Sequence, residues 1–542
     1  MLDVKKLVGL GDQLFSNRGT LLSLWQEIGE NFYPERADFT VRRTIGDDYA
    51  GNLTTSYPIL VRRELGDQIS SMLRPRGQDW MGITIEREER LDTAGKQFLE
   101  YATGVQKRAM YDRVSQFVRA TKEGDHDFAS FGQCVISVES DQKNVALLFR
   151  CWHLRDVAWC ETYNGSIGDI HRNWNPDART LVRTFGRERM HAEVLKMLDK
   201  DPYGKVKCRH IVLPIDYYEG DQKFRTPFVS IYIDIEHQHV ISESGSWSPI
   251  YCIPRWQTVS GSQYAYSPAA VAGLPDARLL QAMTLTLLEA GEQAVRPPMI
   301  ATKEAIRGDV AVYAGGITWV DAQYDERLGE VLRPITQDKS GLPFGMDVSE
   351  EKKAMLSQAF YLNKLSLPPA DREMTAFETS QRIQEYIRNA LPLFEPMEHE
   401  YNGALCEMAF DELMRNNAFG PPQDIPQSLR GEKVRFKFES PLHQAIERQK
   451  GQKFIESKGL IMEAMQIDPA SVALVDSRKA LREALEGIGV PAAWMRDEAA
   501  VEQHAAQLAQ QQQAEQVIAT ATQGAIAAQE AGKAGQALES IA

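Results

Sequence analysis

The hydrophobic period of this chain changes twice, and that change limits its architecture more than any other feature. In GTLLSLWQEIGENFYP, Leu21, Leu24, Trp25, Ile28 and Phe32 recur at spacings of three and four, and Pro34 ends the run. PILVRRELGDQISSMLRP repeats the device with Ile59, Leu60, Leu65, Ile69 and Leu73, closing at Pro75. Between Ser130 and Ile253 the period shortens toward two. QCVISVES, KNVALLFRCW, CRHIVLPIDYY and FVSIYIDIEHQHVISES are rich in β-branched and aromatic residues, which predicts antiparallel sheet. Ile231, Ile233 and Ile235 share one face there; Tyr232, Asp234 and Glu236 share the other. The class is α+β, predominantly helical.

Helix returns at Ser267-Pro268, an N-cap followed by a proline at the first helical position. LPDARLLQAMTLTLLEAGEQAVRPP carries a stripe of Leu280, Met283, Leu287, Ala290 and Ala294, closed by Pro297-Pro298. Small residues Ala290, Gly291 and Ala294 allow another helix to approach its end closely. A compact insert runs from about Met299 to Gly345, and VAVYAGGITWV within it predicts two strands joined across Gly315-Gly316. DVSEEKKAMLSQAFYLNKL predicts a second helix with acidic residues in its first turn. Pro368-Pro369 then ends that helix, and Thr375 with Glu378 forms a capping box that starts the next. This helix bears Ile383, Ile387, Leu391 and Phe394, bends at Pro392 and Pro396, and continues through Tyr401, Leu405, Met408 and Leu413 to about Arg415. KVRFKFES predicts a strand, helical segments follow to Gly489, and the Ala- and Gln-rich tail from Pro491 predicts either a partnered helix or a mobile segment.

Composition narrows the function. At 43% hydrophobic and 25% charged residues this is an ordinary folded chain, and no run approaches eighteen apolar residues, so no membrane span is expected. MLDVKKLVGLGDQLF lacks a signal-peptide core, and six cysteines without a CxxC pair suit a reducing, cytosolic compartment. A net charge of −14 disfavours a broad grip on nucleic acid but is compatible with DNA that passes unheld. No G-x-x-x-x-G-K-[ST] is present, so P-loop ATP hydrolysis is not expected. His237 and His239 read as polar residues at a hairpin end, Cys151, His153 and Cys160 as strand residues, and Asp47 and Asp48 as a surface loop; each fits a metal less well. No nucleophile–base pair stands out. The expectation is a non-enzyme without cofactor or metal.

The ordered series of elements resembles the portal protein, or head-to-tail connector, of short-tailed double-stranded DNA phages. WQEIGENFYPERADF is similar to that family's tryptophan-to-proline opening, and LGDQISSMLRPRGQDWMGITI to its helix, proline, tryptophan, strand passage through Leu65, Leu73, Pro75 and Trp80. IPRWQTVSGSQYAYSPAAVAGLPDARLL matches an Arg-Trp…Ser-Pro…Leu-Pro-Asp stretch through Arg255, Trp256, Ser267, Pro268, Leu274, Pro275 and Asp276. Tyr264-Ala265-Tyr266 departs from the Tyr-Gly pair frequent in relatives, which leaves the local turn in doubt.

The resemblance implies a twelve-subunit ring with wing, stem, clip, crown and barrel. By position, 1–270 and 376–440 are wing, 271–298 and 346–363 the stem helices, and 299–345 the clip. Residues 364–375 are the tunnel loop, 441–490 the crown, and 491–542 the barrel or mobile tail. Lys364, Pro368, Pro369, Asp371, Arg372 and Glu373 would border the channel, whereas the bland reading is an ordinary helix–helix connection. Glu289, Glu292, Glu350 and Glu351 would belong to the stem's charged surface, with Lys352, Lys353 and Arg296 pairing with them between subunits. Solvated helix faces are the competing reading for each. Implied partners are double-stranded DNA, the terminase large subunit, major capsid and scaffolding proteins, and tail adaptor and nozzle proteins, all at the virion's portal vertex. The rival reading is a metal-dependent nucleic-acid-processing enzyme built from scattered carboxylates.

Overall fold

A computed structural model describes residues 3–44, 46–76, 79–87, 91–141, 146–220, 224–301, 332–334, 341–365, 396–438, 457–462 and 476–487, with scattered positions from 490 to 511. The chain divides into two compact units, Met81–Val105 with Phe419–Ala542, and Met1–Trp80 with Gln106–Ala418. In the smaller, β1 (Met81–Ile85) pairs antiparallel with the strand Val434–Phe438, from Met81↔Phe438 to Ile85↔Val434. Met81, Ile83 and Ile85 alternate into its core. The amide of Ile83 donates to Thr103 Oγ1 at 3.0 Å, tying the ribbon to a helix. The strand expected at KVRFKFES is present, and its partner is the GITI segment far upstream.

The larger unit begins with α1 (Val4–Asn17), α2 (Gly19–Phe32) and α3 (Tyr57–Leu73). The last turn of α4 (Thr93–Met110) and all of α5 (Phe117–Phe131) follow. Trp25, Ile28 and Phe32 of α2 and Leu65, Ile69 and Leu73 of α3 are buried, as their spacing predicts. Leu60 is not; it is 55% exposed, one position off the buried face. Two ion pairs fix α5 inside this core. Arg36 grips Asp127 through two bonds of 3.0 and 2.7 Å. The buried Arg74 reaches Asp125 and also donates to Asn402 Oδ1 at 2.7 Å.

The strands β2 (Val135–Asp141), β3 (Ala146–Trp152), β4 (Val157–Glu161), β5 (Ile167–Trp174), β6 (Cys208–Pro214), β7 (Phe228–Asp234), β8 (His239–Ser246) and β9 (Tyr251–Cys252) make two antiparallel sheets. Their orders are β3-β2-β9 and β4-β5-β6-β7-β8. Gln238 turns the β7–β8 hairpin with φ 50°, so His237 and His239 do flank a hairpin end.

The larger sheet is covered on both faces. Ile231 and Ile233, with Ile211, Leu213 and Val229, lie under Val4, Leu7 and Val8 of α1. The opposite face is not left to water. A pair of short helices, α6 (Ala178–Phe185) and α7 (Ala192–Lys200), is inserted between β5 and β6 and packs there through Leu181, Met190 and Val194. Asp234 is therefore only 1% exposed, and its carboxylate is satisfied locally by the amide of Glu236 and the ring of His237, at 3.1 and 2.7 Å. No described helix is long and apolar enough to cross a membrane.

Candidate functional site

After Ser267, whose hydroxyl accepts the Ala270 amide at 3.1 Å, a wide π-type turn over Ala269–Gly273 leads into α8 (Leu274–Val295). Pro275 and Asp276 follow directly, where the π-type turn gives way to the α-helical spacing. Beyond α8, β10 (Met299–Ala301) pairs antiparallel with β11 (Leu332–Pro334), so the two ends of the insert meet. The expected hairpin at Gly315-Gly316 lies outside the described residues.

The chain returns as α9 (Gly341–Ala359), which starts five residues before the expected boundary because Pro343, in the first turn, is no obstacle. The two helices run antiparallel in contact. Lys352 pairs with Asp276 at 3.1 Å, and farther along Gly345 abuts Leu287 so closely that a Cβ there would lie 2.9 Å from its methyl. The stripe Leu280, Met283, Leu287 is thus spent on α9.

The root of this hairpin is held at two levels. At the base, Phe360 is fully buried against Phe32, ring centroids 5.2 Å apart, with Gly273 beneath its edge. The next residue, Tyr361, adopts φ 59°, a conformation that disfavours a bulky side chain, and the helix breaks there. Docking of Phe360 therefore ends α9 ahead of Pro368-Pro369, which corrects the expectation that the prolines do so. About two turns higher, the Gln281 amide pairs with backbone as a strand would. Its Oε1 accepts the amides of Thr54 and Thr55 at 2.8 and 3.0 Å, and its Nε2 donates to Thr55 O at 3.1 Å. Tyr57 Oη donates to Lys353 O at 3.0 Å and bonds Ser357 Oγ at 2.7 Å, so one short segment holds both helices. Arg278 also pairs with Glu27 of α2.

Above the root the hairpin is open. Leu274, Ala277 and Leu280 are the buried residues of α8, and Ser349 and Leu356 those of α9. Large apolar side chains instead face outward. Leu285 is 48% exposed, Leu288 56%, Val295 81%, Phe344 71% and Met346 62%. A helix apolar on more than one side is buried in an assembly or a membrane, and the charges on α8 and α9 argue against the latter. The sequence carried this signal: Leu279, Leu285, Leu288 and Val295 all lie off the α9-facing stripe.

Glu289, Glu292, Glu350 and Glu351 are all exposed on this hairpin. Glu350 is bonded to Lys353 of its own helix at 2.7 Å, and Lys352 to Asp276. Both lysines therefore have partners within the chain, not only the intersubunit partners expected of them. Lys364 is exposed in a short helical turn, Leu362–Leu365, with its ammonium 5.7 Å from the Tyr361 ring. Pro368, Pro369, Asp371, Arg372 and Glu373, like the capping pair Thr375 and Glu378, lie outside the described residues. The remaining candidates have protein partners or lie in strands. His153 pairs with Asp38, Cys151 is half-buried in β3, Cys160 is half-buried in β4, and Asp47 bonds Thr44 in a loop. No group of three His, Cys, Asp or Glu among the described residues is placed to hold a metal.

An exposed apolar hairpin is thus rooted in a sheet-and-helix body. The chain is a member of the bacteriophage head to tail connecting protein family, whose model matches residues 4–495. It is 25% identical over 450 residues to the probable portal protein of Bordetella phage BPP-1, covering 81% of this chain and 79% of that one. It is 21% identical over 530 residues to the portal protein of Salmonella phage epsilon15, covering 95% and 93%. A solved chain from a native gene transfer agent virion overlaps 80% of this chain and 94% of its own length at 10% identity, with a TM-score of 0.36, too distant a likeness to carry an argument.

Proposed function

We propose that this chain is the subunit of a phage portal, a closed ring at one capsid vertex that nucleates head assembly and conducts double-stranded DNA in packaging and ejection. The observation that carries this reading is the α8–α9 hairpin, whose outer face leaves Leu285, Leu288, Val295, Phe344 and Met346 in water. A second copy related by rotation would cover that face, and a head-to-tail contact whose rotation closes makes a ring. Residues 271–298 and 346–363 would be the stem, 299–345 the clip, 364–375 the tunnel loop, and the sheet-bearing region the wing. The clip would dock the terminase and later the tail adaptor and nozzle proteins; capsid and scaffolding proteins would meet the outside of the ring. The exposed Glu289, Glu292 and Glu351 would repel the DNA backbone over a range of roughly 8 Å in physiological salt and keep it from being held. The chain does no chemistry in this reading, and its place is the virion.

Native mass measurement or negative-stain imaging of the purified chain tests the ring. The portal resemblance implies a closed assembly of about a dozen copies with an axial hole, and a monomer that persists at high concentration would refute it. Replacing both Lys364 and Arg372 with Ala should alter packaging yield or DNA retention with rings intact. If neither changes, the tunnel-loop assignment fails.

A further inference from the structure

The α6–α7 insertion reverses the charge balance of the chain. Residues 176–207 contain eight Lys and Arg against five Asp and Glu, a net of +3 within a chain of −14. The packing decides which of these face water. Ala178 and Leu181 of α6 are fully buried on the sheet, so Arg179, Thr180, Arg183 and Thr184 are held outward and exposed. Arg179 and Arg183 stand one turn apart, with Cβ atoms about 6 Å from each other. Lys205 joins them at the start of α6, where its backbone bridges to Asp177. The nearest carboxylate, Asp177, is engaged as the helix N-cap, accepting from the amide and hydroxyl of Thr180 at 3.0 and 2.9 Å. Elsewhere on the insertion, Arg187, Lys196 and Lys207 are paired with Asp199, Glu193 and Glu236. Among the described residues no carboxylate lies within ion-pair distance of Arg179, Arg183 or Lys205. Three cations on one outer face, none of them ion-paired among the described residues and only Lys205 feeling the nearby Asp177 charge, suit a repeating anion better than a point charge.

We propose that the outer face of α6, through Arg179, Arg183 and Lys205, binds the phosphate backbone of duplex DNA without reading its sequence. This is a contact on the sheet body, separate from the repulsive hairpin. The choice of DNA over another polyanion rests on the portal reading, because a portal faces packaged duplex.

The test uses full-length chain, a fluorescently labelled duplex and anisotropy titrations between about 50 and 200 mM salt. The Arg179→Gln/Arg183→Gln/Lys205→Gln variant should bind at least about tenfold more weakly at the low-salt end. The slope of log affinity against log salt should become shallower by about 2.7, near 0.9 for each lost phosphate contact. An unchanged affinity and slope, in a variant with unchanged thermal melting, would overturn the proposal. So would polyglutamate competing as strongly as unlabelled duplex of equal charge, which would make the partner an acidic protein. Ring formation, read separately by native mass, reports on the portal reading alone.

Discussion

The five-stranded sheet and the α8–α9 hairpin are both rich in aliphatic residues, yet they bury them by opposite means. Ile211, Val229, Ile231 and Ile233 are covered by the chain's own α1, and the reverse face by α6 and α7. The hairpin spends one stripe on pairing its two helices and leaves Leu285, Leu288, Phe344 and Met346 without cover. Burying one such side chain contributes about 1.5–3 kcal/mol, so the stability stored in the hairpin's outer face becomes available only on association. One region is covered by its own chain; the other leaves its apolar face open.

The largest expected effect breaks that contrast directly. Leu285→Asp with Leu288→Asp should abolish assembly, seen as loss of the high-mass species, while the far-ultraviolet spectrum and the chain's solubility persist. Ile231→Asp in the sheet should instead yield unfolded or insoluble protein. Persistent rings in the first variant would show that the exposed leucines do not meet a neighbour. Next, Phe360→Ala opens a cavity at the root and should cost about 3–5 kcal/mol in chemical denaturation. A loss near that of a surface site would remove the anchor role.

A third effect concerns the sheet. Burial and the nearby Arg209 hold the ring of His171 down to about 3 from its ordinary 6.5. The unfolded chain then binds this proton first, so the stability is complete above pH 6.5 and is lost as pH falls toward 3. By pH 5 its loss should reach about 2 kcal/mol, and His171→Gln should make the melting temperature fall less steeply with falling pH between those limits, with His126 and His210 keeping part of the slope. A variant with the same pH slope as the parent would contradict this. The smallest effect sharpens the hairpin side. Lys353→Ala breaks an exposed pair with Glu350 and should change stability by less than about 0.5 kcal/mol. A dissociated ring in that variant would mean the lysine is used between copies after all.

Much of this contrast was legible in the sequence, for stated reasons. The helices α2, α3 and α8 and the strands β2, β3, β6, β7 and β8 follow from apolar spacing, because each packs one regular face. What covers the Tyr232 and Asp234 face was not legible, because the insertion packed there comes from residues 178–200, remote in sequence from β7. β5 went unread since its buried His171 and Arg172 do not advertise a core strand. The end of α9 was assigned to Pro368-Pro369 on local rules, whereas a tertiary contact of Phe360 decides it. The exposed Leu279, Leu285 and Leu288 are present in LPDARLLQAMTLTLLEAG, but a single apolar stripe accounts for a helix pair without them.

The two-level root has a mechanical meaning. α8 rises about 33 Å over its 22 residues, and Gln281, its eighth, lies about 10 Å from the start. With Phe360 as fulcrum, a sideways load at the insert acts on a moment arm roughly three times that of the Gln281–Thr54 bonds. The torque concentrates where a few hydrogen bonds can open and reform, while the aromatic plug below is spared, so the hairpin should yield by tilting before it is pulled out.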